Sequence, residues 1–259
     1  MLIDERKKEI LDITKEKTYI SVEELAKMVF ASEATIRRDL ADLASAGLIK
    51  RVRGGASALA PSTGEVSTLI RQQTNIVEKK RIAQAALSFL REGESYFIDS
   101  STTVGQMIPL LKNFTDITVI TNGFDNAASL SNCVSFSSYM APGIIAGNVG
   151  SSIGPDTVDF VSRFNVDAFL FSCRGFSLET GPSEGTIEQQ RVKSAMAKRS
   201  RKKILLVDHT KFGKTLLASD CPLEDVDIIV TDRQPPAEYL EAFARMNIKL
   251  VNAEELAKH

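Results

Sequence analysis

Apolar residues recur along this chain with two different periods, and the change from one to the other divides it. In the front part the spacing is helical. Ile10 and Ile13 share one side of a stretch from Asp4 to Lys17, and Glu5, Lys8, Asp12 and Lys15 take the other, which predicts an amphipathic helix. Tyr19-Ile20 predicts a short strand. Ser21 and Glu24 have capping-box spacing and open a short helix through Leu25, Ala26 and Val29 that stops near Phe30. Ser32 then sits at an N-cap position, and Ile36, Leu40 and Leu43 follow at i, i+4 and i+7 as one apolar stripe. Two short helices joined by so tight a turn predict a helix-turn-helix. Gly47 supplies a helix-ending C′ residue, and Leu48 to Gly55 predicts an apolar and basic strand closed by a Gly-Gly turn, a wing.

Farther on, short apolar runs of strand type alternate with helical spacing. The stretch from Ala56 to about Thr74 is rich in Ser, Ala, Pro and Thr and predicts a linker. A helix from Ile76 to Arg91 follows, with Ile82, Ala83, Ala86, Leu87 and Leu90 on its buried face. The runs Tyr96 to Ile98, Ile117 to Ile120, Val134 to Met140, Ala168 to Phe171, Ile204 to Val207 and Ile228 to Val230 then read as strands, with helices after several of them. Near-continuous apolar strands separated by helices predict a mostly parallel sheet covered on both faces. The expected fold class is α/β: a winged helix-turn-helix domain over residues 1–57, a linker over 58–75, and a larger α/β domain over 76–259.

Charge changes this picture locally. The formal net charge is -1, from 32 basic and 33 acidic residues, so the chain is no polycation. From Arg37 to Arg53, however, five basic residues (Arg37, Arg38, Lys50, Arg51, Arg53) face two acidic ones (Asp39, Asp42). Thr35, Arg37 and Arg38 point away from the apolar stripe, near the start of a helix suited to the major groove of DNA, where Arg reads guanine edges. Lys50, Arg51 and Arg53 on the wing suit the sugar-phosphate backbone. The expected DNA surface is Ser21, Ser32, Thr35, Arg37, Arg38, Lys50, Arg51 and Arg53. So modest a local excess of charge favours a homo-dimer or tetramer, which grips double-stranded DNA with more than one head.

Cys133, Cys173 and Cys221 are scattered, with no metal-ligand spacing, which suits a reduced cytoplasmic setting without zinc or disulfides. No apolar run reaches membrane-spanning length, and no export signal or anchor is expected.

The candidate chemistry of the rear domain lies at the strand ends, where open α/β sheets bind ligands. Asp99-Ser100-Ser101-Thr102-Thr103 offers hydroxyls and backbone N–H groups at a strand-to-helix turn that favours an anion. Walker spacing is missing, so a nucleoside triphosphate is not expected. Asn122, Arg174 and Lys211 end other strands and would converge on the same cleft, a set suited to a small polyhydroxylated anion such as a phosphorylated sugar. Asp99, Asp208 and Glu188 are the candidates for general acid-base work, yet no nucleophile and base pair accompanies them. His209 reads as structural and Cys173 as a buried, inert thiol.

With these residues in hand, the chain resembles the DeoR family of bacterial transcriptional regulators over nearly its whole length. The front match runs through Ile20 to Ala26, Ser32 to Leu40 and Leu48 to Ala56, with Ala31 where valine is usual. The rear domain is similar to that family's sensor domain, whose fold is that of ribose-5-phosphate isomerase and whose usual effector is a phosphorylated sugar or related metabolite. The strand-end reading and the resemblance together give an expected effector site of Lys79, Asp99, Ser100, Ser101, Thr102, Thr103, Asn122, Gly143, Arg174, Gly175, Glu188, Lys193, Asp208 and Lys211. Ser101 replaces a usual glycine, and Gly143 alone remains where two are common. The resemblance implies a regulator, most often a repressor, that is not an enzyme and needs no cofactor or metal. The alternative is a sugar-phosphate isomerase with an accessory DNA-binding head.

Overall fold

The computed structural model describes residues 3–17, 19–45, 48–57, 68–147 and 149–256. The chain divides into two compact units, Met1–Gln73 and Thr74–His259.

In the first unit α1 (Ile3–Glu16) leads to β1 (Ile20–Ser21), α2 (Val22–Met28), α3 (Glu33–Ser45), β2 (Lys50–Val52), β3 (Gly55–Ser57) and α4 (Thr68–Gln73). Helix α2 starts where it does because Ser21 and Glu24 cap each other's backbone N–H groups. Ile10, Ile20, Leu25, Ile36, Leu40 and Ile49 close into one core, so each element contributes the face its period predicted. The strands form an antiparallel sheet in the order β1-β3-β2. Gly55 is needed where β3 passes β1, since a Cβ there would stand 2.1 Å from the Ile20 carbonyl oxygen. The predicted C′ glycine, Gly47, lies outside the described residues, as do positions 58–67 of the predicted linker. The far end of that linker differs from expectation. Leu-Ile-Arg-Gln-Gln after Thr68 are good helix formers, and they fold as α4 despite the Ser- and Pro-rich sequence before them.

In the second unit α5 (Ile76–Ala86) is followed by a 3₁₀ turn (Leu87–Phe89), β4 (Ser95–Ile98), a 3₁₀ run (Val104–Asn113), β5 (Thr118–Thr121), α6 (Phe124–Leu130) and β6 (Ser137–Met140). Next come β7 (Ile144–Ala146), β8 (Ser151–Ile153), α7 (Pro155–Val161), β9 (Val166–Phe171), β10 (Gly175–Ser177) and β11 (Gly181–Glu184). The chain continues through α8 (Ile187–Lys198), β12 (Ser200–Leu206), β13 (Ala218–Ser219), β14 (Ile228–Thr231), α9 (Ala237–Arg245), β15 (Lys249–Asn252) and α10 (Ala253–Leu256). Two expected helices differ in detail: the one toward Arg91 tightens to 3₁₀ after Ala86, and the one through Met107 and Leu111 is 3₁₀ throughout. Pro109 inside that second run lacks the N–H an α-helix would use. The β6 strand is also shorter than the predicted run from Val134.

Among the described residues the main sheet has seven strands, all parallel, in the order β15-β14-β12-β9-β4-β5-β6. Alternation along the strands builds two cores. Tyr96, Ile98, Leu170, Ile204 and Leu206 face one side with α5; Phe97, Phe169, Phe171, Leu205 and Ile229 face the other with α8 and α9. Short antiparallel pieces, β7-β8 and β10-β11-β13, stand beside the sheet. The chain lays β5 and β6 on one side of β4, and β9, β12, β14 and β15 on the other. The crevice between the carboxyl ends of β4 and β9 is therefore the topological switch point, and Asp99 and Ser172 are the residues that follow those two strands.

Candidate DNA interface and effector site

On α3 the Ser32 hydroxyl accepts from the Thr35 N–H (3.2 Å) and lies 2.8 Å from the Thr35 hydroxyl, so both residues are engaged in starting the helix. Ile36, Leu40 and Leu43 are buried, which turns Arg37 and Arg38 outward. Arg37 donates to Glu33 one turn earlier (3.1 Å), an exposed pair that a competing partner can displace at small cost. The acidic residues counted against this surface do not oppose it. Asp39 is buried and takes Arg6 of α1 in a two-point contact (2.6 and 3.3 Å), and Asp42 takes Lys7 (2.7 Å). Hydrogen bonding to Asp39 raises the Arg6 guanidinium further above its ordinary range. Lys50, Arg51 and Arg53 are all exposed on the hairpin. Ser21 is occupied by its capping role with Glu24.

In the second unit the switch-point crevice is filled by a buried ionic cluster. Lys193 of α8 donates to the Ser172 carbonyl (2.5 Å) and to Glu184 of β11, and lies 3.1 Å from Asp99. The other Asp99 oxygen accepts from the Ser101 N–H (2.9 Å), which shapes the turn after β4, and the Ser172 N–H donates back to Asp99 (3.1 Å). Burial works against a charge on Lys193, but Glu184 and Asp99 prevail and keep it firmly protonated. Hydrogen-bonded to Ser172 and Glu184 and ion-paired with Asp99, this ammonium is a strut and not a base. Asp220 completes the cluster. It is buried, neither carboxylate oxygen has a hydrogen-bond partner, and burial, opposed by Lys193 and reinforced by Glu184, pushes it well above the ordinary carboxylate range.

A second group lies at the ends of β4 and β12. The Lys79 ammonium donates to the Thr102 hydroxyl (3.0 Å). Asp208 accepts from the Thr210 N–H (3.0 Å) and from the side-chain amide of Asn75 (3.2 Å), a residue in a left-handed conformation just before α5. Burial would raise Asp208, yet Lys211, the Thr210 hydrogen bonds and Lys79 hold it below its usual range. Its Oδ2 has no hydrogen-bond partner, and neither has the buried Oδ1 of Asn122, whose Nδ2 donates to the Ser152 carbonyl (3.0 Å). Ser100 and Ser101 are half-buried in the same turn, and the Thr103 hydroxyl is 3.5 Å from that of Ser172. Gly143 follows β6 at φ 144°, where a Cβ would stand 2.1 Å from the Thr157 hydroxyl.

Arg174 donates its N–H to the Ser183 carbonyl (3.0 Å) and leads into β10, where Gly175 packs against the Lys214 carbonyl. Glu188 is exposed in the first turn of α8, and the carboxylate that meets Lys193 is Glu184. Helical geometry separates the two: Thr186 caps the helix and turns Gln189 inward to Ser151 (2.9 Å), leaving Glu188 on the outer face. His209 is held by Asp232 (2.7 Å to Nδ1), and Cys173 is buried with its thiol pushed well up by desolvation. Sequence reading missed Glu184, Asp220, Asn75 and Ser172, single polar residues in turns or edge strands that only the tertiary fold brings together.

Among the described residues no group of three or more His, Cys, Asp or Glu is placed to hold a metal ion, and no helix is long and apolar enough to cross a membrane. A cavity of about 180 Å³ opens at the amino ends of the strands, away from these groups, and is lined by Arg91, Glu94, Asp167 and Arg201.

Residues 6–62 match the DeoR-like helix-turn-helix domain, and residues 74–233 match the DeoR C terminal sensor domain. The chain is 32% identical to the glycerol-3-phosphate regulon repressor of Escherichia coli over 93% of its own length and 95% of that protein's. It is 31% identical to the HTH-type transcriptional repressor GlcR of Bacillus subtilis over 98% of both chains. With the HTH-type transcriptional regulator YulB of Bacillus subtilis the figure is 32% over 100% of this chain and 99% of that one. Among solved structures, ribose 5 phosphate isomerase A from Neisseria gonorrhoeae aligns with a TM-score of 0.38 and 17% identity over 53% of this chain and 54% of that one.

Proposed function

Because this chain belongs to the DeoR family of transcriptional regulators, we propose that it is a repressor whose hold on an operator is controlled by a phosphorylated sugar or related polyol phosphate. The observation that carries the DNA half is α3 itself, buried on one stripe with Arg37 and Arg38 turned out beside a basic hairpin. The α3 arginines read base edges, while Lys50, Arg51 and Arg53 hold the backbone. Relatives named as repressors, one of them of a glycerol-3-phosphate regulon, support the sign of regulation and the class of effector.

The effector half rests on the group around Asp208. Two lysines, Lys79 and Lys211, lie within electrostatic reach of one buried carboxylate, and Asp208 Oδ2 and Asn122 Oδ1 lack donors. A ligand with several hydroxyls supplies donors to those oxygens, and its phosphate meets the lysines and the hydroxyls of the turn 100–103. Two recognition helices must engage successive grooves together, so an effector that alters their spacing removes a large part of the affinity.

A gel-shift series with the chain's own upstream DNA tests the first half: Arg37→Ala and Arg38→Ala each weaken the sequence-specific shift sharply relative to the wild type. A thermal-shift screen against phosphorylated sugars and sugar alcohols tests the second, because a ligand binding only the folded state raises the melting temperature. Turnover of a pentose or hexose phosphate by the purified chain would instead reassign it as an isomerase.

A further inference from the structure

From Asn126 to Pro155 thirty consecutive positions carry no Asp, Glu, Lys, Arg or His. At the chain's overall 25% charged composition, an average stretch of that length holds about 7 charges. Only part of this uncharged stretch is core, through residues such as Leu130 and Ala141. The stretch includes β6, the last strand on one side of the main sheet, and the β7-β8 hairpin, and it exposes Val134 (95%), Tyr139 (46%), Ile144 (61%) and Ile145 (74%).

The two edges of the sheet are treated differently. The β15 edge begins at Lys249 and runs into Glu254 and Glu255 of α10, charges that discourage another strand from pairing there. The β6 edge reads Ser-Ser-Tyr-Met and has no such guard. Its Ser137 N–H, and the Ala141 N–H just beyond it, point toward β5, donating to the Ile117 and Thr121 carbonyls. By the alternation of a strand, the Ser138 and Met140 N–H groups point outward.

We propose that this face, β6 with the β7-β8 hairpin, is where a second copy of the chain docks. At a two-fold interface each residue near the axis faces its own counterpart, so any charge there meets a like charge. β6 and the β7-β8 hairpin bring no charge of their own to such an axis, which avoids that penalty and gives a charged partner nothing on these strands to pair with. Its exposed isoleucines and tyrosine supply apolar surface for a copy bearing the same residues. The face also continues covalently into the strand-end groups, because Ile144 follows Gly143 and the Pro142 carbonyl accepts from Thr157 (2.6 Å). Only this last link, from effector to assembly, rests on the function proposed above.

Sedimentation velocity of the full chain tests the interface without DNA or effector. The wild type is expected to sediment as a dimer or larger. Ile145→Glu places like charges across the axis from an already exposed position, and Ser138→Pro blocks the outward edge without removing a bond to β5. Each is expected to sediment as a monomer with unchanged circular dichroism, while Leu217→Glu, exposed elsewhere, keeps the wild-type size. At equal protein concentration the dissociated variants lose about 100-fold in operator affinity. A monomeric wild type, or wild-type size in both folded variants, overturns the interface. In the second case, intact operator binding would leave the DNA-binding reading standing.

Discussion

Arg38 in the front unit and Lys193 in the rear unit are both cations on helices, and they live under opposite rules. Arg38 is exposed on α3, so its charge stays hydrated until a partner displaces the water. Lys193 is buried among Glu184, Asp99 and the Ser172 carbonyl, where two hydrogen bonds and an ion pair hold its charge in place. The head keeps its working charges outside a small apolar core, and the sensor folds around its own. Charge available for recognition and charge committed to structure can therefore be separated by substitution.

The sharpest separation is expected at Lys193. Replacing it with methionine leaves Asp99 and Glu184 buried without their counter-charge, a loss of about 3–5 kcal/mol in folding stability by urea titration. A loss below about 1 kcal/mol would show that the cluster is hydrated and break the contrast. Next in size is Arg38→Ala, expected to weaken specific operator binding by about 1–3 kcal/mol in a gel shift. Its melting temperature should hold, since an exposed substitution changes stability by only about 0.5 kcal/mol.

Asp220 gives a smaller effect with a definite sign. Its folded pKa stands above its unfolded one, so the fold favours the protonated acid. That contribution is complete below the unfolded value and is lost as pH rises through the raised folded value. Wild-type stability should accordingly fall as pH rises through the raised folded value, and Asp220→Asn should flatten that slope in thermal melts. A parallel pH slope in the variant would place the titration elsewhere. The smallest effect is expected at Lys50→Ala: a uniform weakening on any DNA sequence, with the log–log salt slope reduced by about 1.

The same contrast explains what could be read from the amino acids alone. The head was legible because its elements are amphipathic and its caps are local. Ser21 with Glu24, and Ser32 with Thr35, act within three residues of each other. The strands from Tyr96, Ala168 and Ile204 were equally clear, being apolar runs bounded by polar turns, and they placed Asp99 and Asp208 at strand ends. The ribbons β7-β8 and β10-β11-β13 were not foreseen, since strands of two to four residues are too short to show a period. The choice between Glu184 and Glu188 was likewise invisible. Both lie near the start of α8, and Glu184 is buried against Lys193 because it ends β11, where it pairs with Ala218 of β13. Asp220, alone between Ser219 and Cys221, carries no local sign of its neighbours across the fold.

The contact between Arg6 and Asp39 has a consequence for how such a head can diversify. Asp39 directly follows the two outward arginines, yet it faces inward and clasps α1, fixing the rotation of α3 from behind. Positions 34, 37 and 38 on the exposed side can then change the preferred DNA target without disturbing the scaffold that aims them. A transplanted α3 would need α1 to travel with it, whereas new target preferences could accumulate on the outer surface one substitution at a time.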